Sequence, residues 1–171
     1  MIQFQPFTKA DFDTLISWIT SEEALIQFSG PVFKYPLTKE QLILNTSDPK
    51  RHAYTIVESL TGKMIAYAEI FTTIENIAVL DRIIIGDLKM RGKGIGLQIV
   101  QQLLYISFEI LGAERASLFV FDWNTSAIKC YEKAGFIINN DKTRKLEFKG
   151  ETWMVLNMSI GRFQKEINST A

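Results

Sequence analysis

Arg91-Gly92-Lys93-Gly94-Ile95-Gly96 is the stretch on which the fold turns. It follows an apolar run, Ile83-Ile84-Ile85, and opens a long amphipathic segment. Its glycines let the backbone approach a ligand closely. The helix that begins there offers unpaired N–H groups and the positive end of a macrodipole. Arg91 and Lys93 add positive charge. These are the parts of a phosphate cradle.

Outward from the loop, the pattern alternates between strand and helix. Upstream, Tyr54–Glu58, Met64–Thr73 and Ile77–Ile85 read as strands, with a hairpin turn at Thr61-Gly62. Downstream, Leu97–Leu111 carries a helical apolar stripe ended by Gly112. Ala116–Phe121 reads as a buried strand and Asn124–Lys133 as a helix closed by Ala134-Gly135. Phe136–Ile138, Lys145–Phe148 and Trp153–Met158 read as closing strands, the last two joined by a turn at Lys149-Gly150. At the N-terminal end, Ile2–Gln5 alternates like a short strand, and Thr8 caps a helix reaching about Ile19. A short helix over Glu22–Phe28 is broken by Ser29-Gly30-Pro31. Thr38-Lys39-Glu40-Gln41 fits a capping box, and Asp48-Pro49 ends the helix it opens. The expected fold is a single α/β domain, residues 1–163, with a mixed central sheet of six to seven strands and helices on both faces. The strand–helix–strand from Ile83 to Phe121 is expected as a right-handed crossover between parallel strands. Residues 164–171 read as a polar, frayed tail.

Composition narrows the classes. The chain has 171 residues, 47 % of them apolar, enough for one packed domain. Lys plus Arg equals Asp plus Glu at 19 each, so bulk charge favours neither nucleic acid nor an anionic membrane. A single cysteine, Cys130, excludes an intramolecular disulfide. One cysteine and one histidine argue against a zinc site, and no metal is expected. No apolar run reaches the roughly 18 residues of a membrane span, and the N-terminus lacks a signal pattern. A cytoplasmic enzyme or binding domain is the expectation, as a monomer or homodimer.

Which phosphate loop this is depends on spacing. A P-loop needs G-x-x-x-x-G-K-S/T. Here Gly86 stands six before Gly92, Lys93 is followed by Gly94, and the magnesium-binding hydroxyl is missing. A Rossmann fingerprint needs G-x-G-x-x-G after the first strand. Gly92, Gly94 and Gly96 give G-x-G-x-G, late in the chain. Neither pattern is met. A second motif lies downstream in Asn124-Thr125-Ser126-Ala127 and Tyr131-Glu132-Lys133-Ala134-Gly135-Phe136. Asn124 and Tyr131 are seven apart, so they lie nearly on one line along a helix. Alone, Asn124 reads as an N-cap and Tyr131 as a core tyrosine with its hydroxyl at the rim.

Together the two motifs resemble the GNAT family of acyl-CoA-dependent N-acetyltransferases. Its Arg/Gln-x-x-Gly-x-Gly/Ala signature is matched by Arg91, Gly94 and Gly96. Its later Asn-x-x-Ala and Tyr-x-x-x-Gly-Phe pattern is matched by Asn124, Ala127, Tyr131, Gly135 and Phe136. Asp81-Arg82-Ile83-Ile84-Ile85 and Phe28-Ser29-Gly30-Pro31 with Pro36-Leu37-Thr38 look most like one branch. That branch holds the spermidine and ribosomal-protein N-terminal acetyltransferases.

The resemblance implies acetyl-CoA as co-substrate, its pyrophosphate on the amides of Arg91, Gly92, Lys93, Gly94, Ile95 and Gly96. It implies that Ile84, Ile85 and Gly86 splay from the neighbouring strand and pair with the pantetheine arm, which Asn124 also contacts. An unpaired strand edge is an open row of donors and acceptors, so this pairing is physically sound. Tyr131 would protonate the leaving thiolate, or only orient the sulfur. A phenol of pKa about 10 matches a thiolate of comparable basicity. Asp81 would take the proton of the amine, with Glu69 as second candidate, unless Asp81 serves a strand-end salt bridge with Arg82 or Arg115. Cys130 is expected in the core, His52 on the surface ahead of a strand, and Trp18, Phe28, Phe33 and Tyr35 along an acceptor cleft or in plain packing. The acceptor is expected to be a small polyamine-like amine, drawn by Glu22, Glu23, Glu69, Glu75 and Asp81, or a peptide N-terminus or lysine. A non-catalytic acyl-CoA sensor or interaction domain is the alternative.

Overall fold

Strand β4, Ile77–Ile85, organises the chain, because the glycine loop hangs from its end. In the computed structural model, which describes residues 1–162, seven strands take the order β1-β2-β3-β4-β5-β7-β6. The strands are β1 (Ile2–Pro6), β2 (Arg51–Glu58), β3 (Met64–Thr72), β4, β5 (Arg115–Phe121), β6 (Ile137–Phe148) and β7 (Glu151–Gly161). The helices are α1 (Phe12–Trp18), α2 (Glu22–Ser29), α3 (Lys39–Thr46), α4 (Ile95–Tyr105) and α5 (Thr125–Lys133). The expected polar tail at 164–171 lies outside the described residues.

The described residues divide into two compact units, one of Met1–Phe71 with Asp81–Ile95, the other of Thr72–Leu80 with residues 96–162. In the first unit, β1, β2 and β3 are antiparallel neighbours, with Phe4 opposite Ile56 and Thr55 opposite Tyr67. Helical spacing puts Phe12, Leu15, Leu25, Phe28 and Leu42 into one apolar cluster with Tyr67 of β3. Trp18 and Ile84 pack on it.

The local signals explain most of these elements. Ser21 caps α2 by accepting from Ala24 N–H at 3.1 Å. Thr38 caps α3 through Gln41 N–H at 3.4 Å. The capping box does not close, however. Gln41 turns its amide to Lys34 N–H at 2.8 Å and to the carbonyls of Lys34 and Pro36 at 2.9 and 3.0 Å. Backbone groups of the incoming segment outcompete the cap, and Gln41 staples residues 34–36 instead. The helix expected after Thr8 is split into a tight turn, Lys9–Asp11, and α1. His52 lies within β2, opposite Ile70, rather than ahead of the strand.

In the second unit, β4 pairs in parallel with β5, as the crossover pattern predicts. α4 runs on into a π-helical turn, Ile106–Ile110, with Ser107 Oγ donating back to Leu103 carbonyl at 2.8 Å. β7 lies between β5 and β6, antiparallel to both. The two short strands expected over 136–148 are one strand carrying a bulge. Asn139 pairs with Asn157 and Arg144 with Val155, so residues 140–143 stand against Leu156 alone and β6 carries three extra residues there. Lys149 and Gly150, at φ 50° and 82°, form the tight turn into β7.

Candidate active site

The β4–β5 ladder covers Ile77, Ala78 and Val79 against Arg115, Ala116 and Ser117, and leaves Leu80–Ile85 outside it. On the other side, Gly86 and Asp87 N–H groups both donate to Ile65 carbonyl, at 3.0 and 3.3 Å. The strand end is therefore anchored on β3. Ile85 carbonyl accepts Arg91 Nε at 3.1 Å and Nη2 at 2.9 Å. That fork folds the Leu88–Met90 turn back on the strand and fixes a cation beside the glycines. Lys63 Nζ meets Asp87 at 2.7 Å. The Lys63 hydrogen bond first, and Lys89 N–H second, hold the Asp87 carboxyl below its ordinary range.

Gly92 and Gly94 have φ of 72° and 77°, and an added Cβ would meet nothing within 4 Å at either. Glycine is needed there for conformation, and the space beside the loop is open to a ligand. Gly86 is a different case. A Cβ there would stand 1.9, 2.0 and 2.4 Å from Cδ2, Cε2 and Cε3 of Trp18. The indole lies flat on the end of β4. Gly86→Ala is expected to cost about 1–3 kcal/mol through overpacking. Adding Trp18→Leu should return part of that loss. Urea unfolding of the two variants checks this, and an equal loss in both would remove the proposed clash.

Asp81 and Arg82 sit just before the loop's strand end, in a network of opposite charges. Glu69 on β3 is fully buried. Its Oε2 accepts Arg82 Nη1 at 2.5 Å and Arg51 Nη1 at 3.0 Å. Its Oε1 accepts Asn45 Nδ2 at 2.9 Å and the Tyr67 hydroxyl. Burial first, and the Glu69 charge second, push the Tyr67 phenol well above its ordinary range. Both Glu69 oxygens are thus occupied by donors, and this carboxylate is poorly placed to receive a proton from an amine. Asp81 is more open, with its side chain 36 % exposed, and Oδ2 lies 3.4 Å from both Arg51 Nη1 and Arg82 Nη1. Arg82 has φ 50°, the left-handed region, inside a strand. Its guanidinium lies over the Phe33 ring at 4.9 Å, and that of Arg51 over Phe71 at 4.8 Å. Phe28 and Phe33 are buried, whereas Tyr35 is exposed with its hydroxyl on Thr20 carbonyl at 3.1 Å.

In the second unit, Asn124 is the N-cap of α5, its Oδ1 accepting from Ala127 N–H at 3.4 Å. Tyr131 is half-buried, its ring 6.1 Å from Phe136 in an edge-on pair. Cys130 is half-buried and burial pushes its thiol up, so it is a weak nucleophile. Among the described residues no group of three or more His, Cys, Asp or Glu could hold a metal ion. No helix among them is long and apolar enough to cross a membrane.

Sequence reasoning did not find Arg51, Asn45 and Tyr67 as partners of Glu69. The available signal was Tyr67 and Glu69, two polar groups one repeat apart in an otherwise apolar strand.

An α/β chain whose central strand leaves its parallel neighbour just before a glycine-rich helix start defines a class of acyl-group transferases. The sequence profile of the acetyltransferase (GNAT) family matches residues 15–136, and the chain belongs to that family. It is 36 % identical over 76 residues to the spermine/spermidine N(1)-acetyltransferase of Bacillus subtilis (strain 168), a match over 44 % of this chain and 47 % of that protein. The match thus spans about half the length of that relative. Spermidine N-acetyltransferase from Vibrio cholerae, in complex with CoA and spermine, has the same fold. It superposes with a TM-score of 0.80 at 19 % identity, over 96 % of this chain and 98 % of that one. The dodecameric structure of the Vibrio cholerae enzyme gives 0.76 at 20 % identity, over 99 % and 98 %.

Proposed function

We propose that this protein transfers the acetyl group of acetyl-CoA to a primary amine by direct attack in a ternary complex. The observation that carries the reading is the end of β4, where the parallel ladder stops at Val79 and the chain enters the left-handed glycines of the cradle. In this reading the amides of residues 91–96 hold the pyrophosphate, with Lys93 as an exposed cation beside them. The edge of Ile84 and Ile85 left outside the β5 ladder pairs with the pantetheine arm, and its N–H groups polarise the thioester carbonyl, whereas Gly86, expected on the same edge, has its N–H engaged by Ile65 carbonyl. Arg91 releases Ile85 carbonyl as that arm arrives. Asn124 contacts the arm through the side of its amide not spent on the cap.

The chemistry balances simply. The neutral amine forms the new C–N bond and the C–S bond breaks. The amine's proton goes to Asp81 or through water, and the thiolate takes a proton from Tyr131. Asp81 is favoured over Glu69 because Glu69 is buried and saturated with donors. The acceptor is a polyamine-like amine, as in the relatives' names, or a peptide N-terminus. The compartment this implies is the cytoplasm, and the assembly a monomer or homodimer, which light scattering checks against larger rings.

A screen of spermidine and short peptides that follows release of free CoA thiol tests the activity. Binding of acetyl-CoA with no thiol release from any amine would favour a non-catalytic sensor instead. Gly94→Val isolates the cradle. It forces a branched residue into the left-handed region, at about 1–2 kcal/mol. Acetyl-CoA affinity by calorimetry should fall at least about ten-fold as the amides leave their alignment. Unaltered affinity would remove the cradle.

A further inference from the structure

We infer that Arg91 sets the thioester specificity: its guanidinium caps the strand edge that the pantetheine arm needs, and a phosphate is required to draw it off. This deepens the acetyl-transfer reading and rests on it. Gly86 N–H donates to Ile65 carbonyl on β3 at 3.0 Å. Successive residues of a strand direct their N–H and C=O groups to opposite sides. Ile85, one residue earlier, therefore turns its carbonyl away from β3, to the side where the β5 ladder has ended at Val79. That oxygen is the acceptor at the open end of the edge, and it is already taken. Arg91 Nε and Nη2 donate to it at 3.1 and 2.9 Å. A carbonyl oxygen has two lone pairs, and one guanidinium uses both.

The cap is built to be exchanged. Arg91, Gly92, Lys93 and Gly94 are all exposed. A Cβ added at Gly92 or Gly94 would meet nothing within 4 Å, so the guanidinium has open space beside the loop to move into. The Nε and Nη2 edge that now holds a neutral carbonyl is the edge that takes a phosphate in two parallel bonds, with charge at both ends. Moving from carbonyl to phosphate is favourable. Moving from carbonyl to water, to make way for a pantetheine amide, is not. Arg91 thus couples the two halves of CoA: the phosphates free the edge, and the arm then pairs with it. Two plainer roles differ in sign. A fixed staple of the Leu88–Met90 turn would help every thioester. A simple phosphate contact would help acetyl-CoA and leave short thioesters alone. A cap helps acetyl-CoA and hinders short thioesters.

Acetyl-CoA and S-acetylpantetheine, which lacks the phosphates, test this on the whole protein by thiol release with the best amine of the screen. In Arg91→Met, kcat/KM should fall about ten-fold or more for acetyl-CoA, as an ionic phosphate contact is lost. For S-acetylpantetheine it should rise about three-fold or more, as the competing hydrogen bonds are removed. Binding gives a second readout that needs no acceptor. In the native protein, inorganic pyrophosphate should tighten pantetheine by about three-fold or more in an NMR titration, and pantetheine should tighten pyrophosphate by the same factor. Arg91→Met should abolish that coupling. The Arg91 Nε–H resonance, assigned by its loss in the variant, should shift with pyrophosphate alone. The inference is overturned if S-acetylpantetheine is used no faster by Arg91→Met than by the native protein, or if pyrophosphate leaves pantetheine affinity unchanged or weaker. Failure of the native protein to bind acetyl-CoA at all would instead sink the acetyl-transfer reading, and this inference with it.

Discussion

Glu69→Ala is expected to lower the unfolding free energy by about 3–5 kcal/mol, because it leaves buried charge without its partner. Arg82 is almost wholly enclosed and holds Glu69 at 2.5 Å. Arg51 is 17 % exposed and holds the same oxygen at 3.0 Å. Truncation also takes the acceptor from the Asn45 amide and the Tyr67 hydroxyl. A loss of that size is a large share of the roughly 5–15 kcal/mol that holds a domain folded. Glu69→Gln keeps an acceptor oxygen and should lose less. The double change Glu69→Leu with Arg82→Met should recover part of the loss, since it removes both ends of a pair that is costly to desolvate. Urea unfolding of the three proteins provides the measurement. A loss below about 1 kcal/mol for Glu69→Ala would mean that Arg82 finds another partner, and the network would not be structural.

The fold was readable where a local signal acts alone. Ile77–Ile85 is an apolar run bounded by Asn76 and Gly86, and β4 has those limits. Asn124 caps α5 because its side chain reaches Ala127 N–H, an interaction set within four residues. Reading failed where distant groups compete for the same atom. Gln41 has the spacing of a capping box, yet the backbone of residues 34–36 claims its amide. The strand β6 reads as two pieces because residues 140–143 are polar, and only pairing with β7 joins them across the bulge. The site divides in the same way. The proposed cradle, residues 91–96, is a contiguous stretch, so its glycines and cations stand together in the sequence. The Glu69 network joins α3, β2, β3 and β4, and no spacing rule links Asn45, Arg51, Glu69 and Arg82. Gly86 was readable as part of the loop, but its packing against Trp18, 68 positions earlier in the sequence, was not.

Tyr131→Phe is expected to lower kcat by about 100- to 10,000-fold, the range for losing a positioned general acid. The change removes one hydroxyl and keeps the ring that packs edge-on against Phe136. Helix α5 and its Asn124 cap are untouched, so folding should survive. Acetyl-CoA affinity should stay within about three-fold, because in the proposed mode the loop amides and the strand edge supply the binding and only a transition-state contact is lost. This split separates proton donation from the other role open to Tyr131. A residue that merely orients the sulfur would affect ground-state and transition-state binding alike, raising the dissociation constant with kcat little changed. Tyr131→Ala, which removes the ring as well, should add a loss of affinity that Tyr131→Phe does not show. Rapid-quench measurement of a single turnover places the effect on the chemical step, and calorimetry reads the affinity. A single-turnover rate in Tyr131→Phe equal to that of the native protein would take the acid role from Tyr131 and leave the thiolate to be protonated by water.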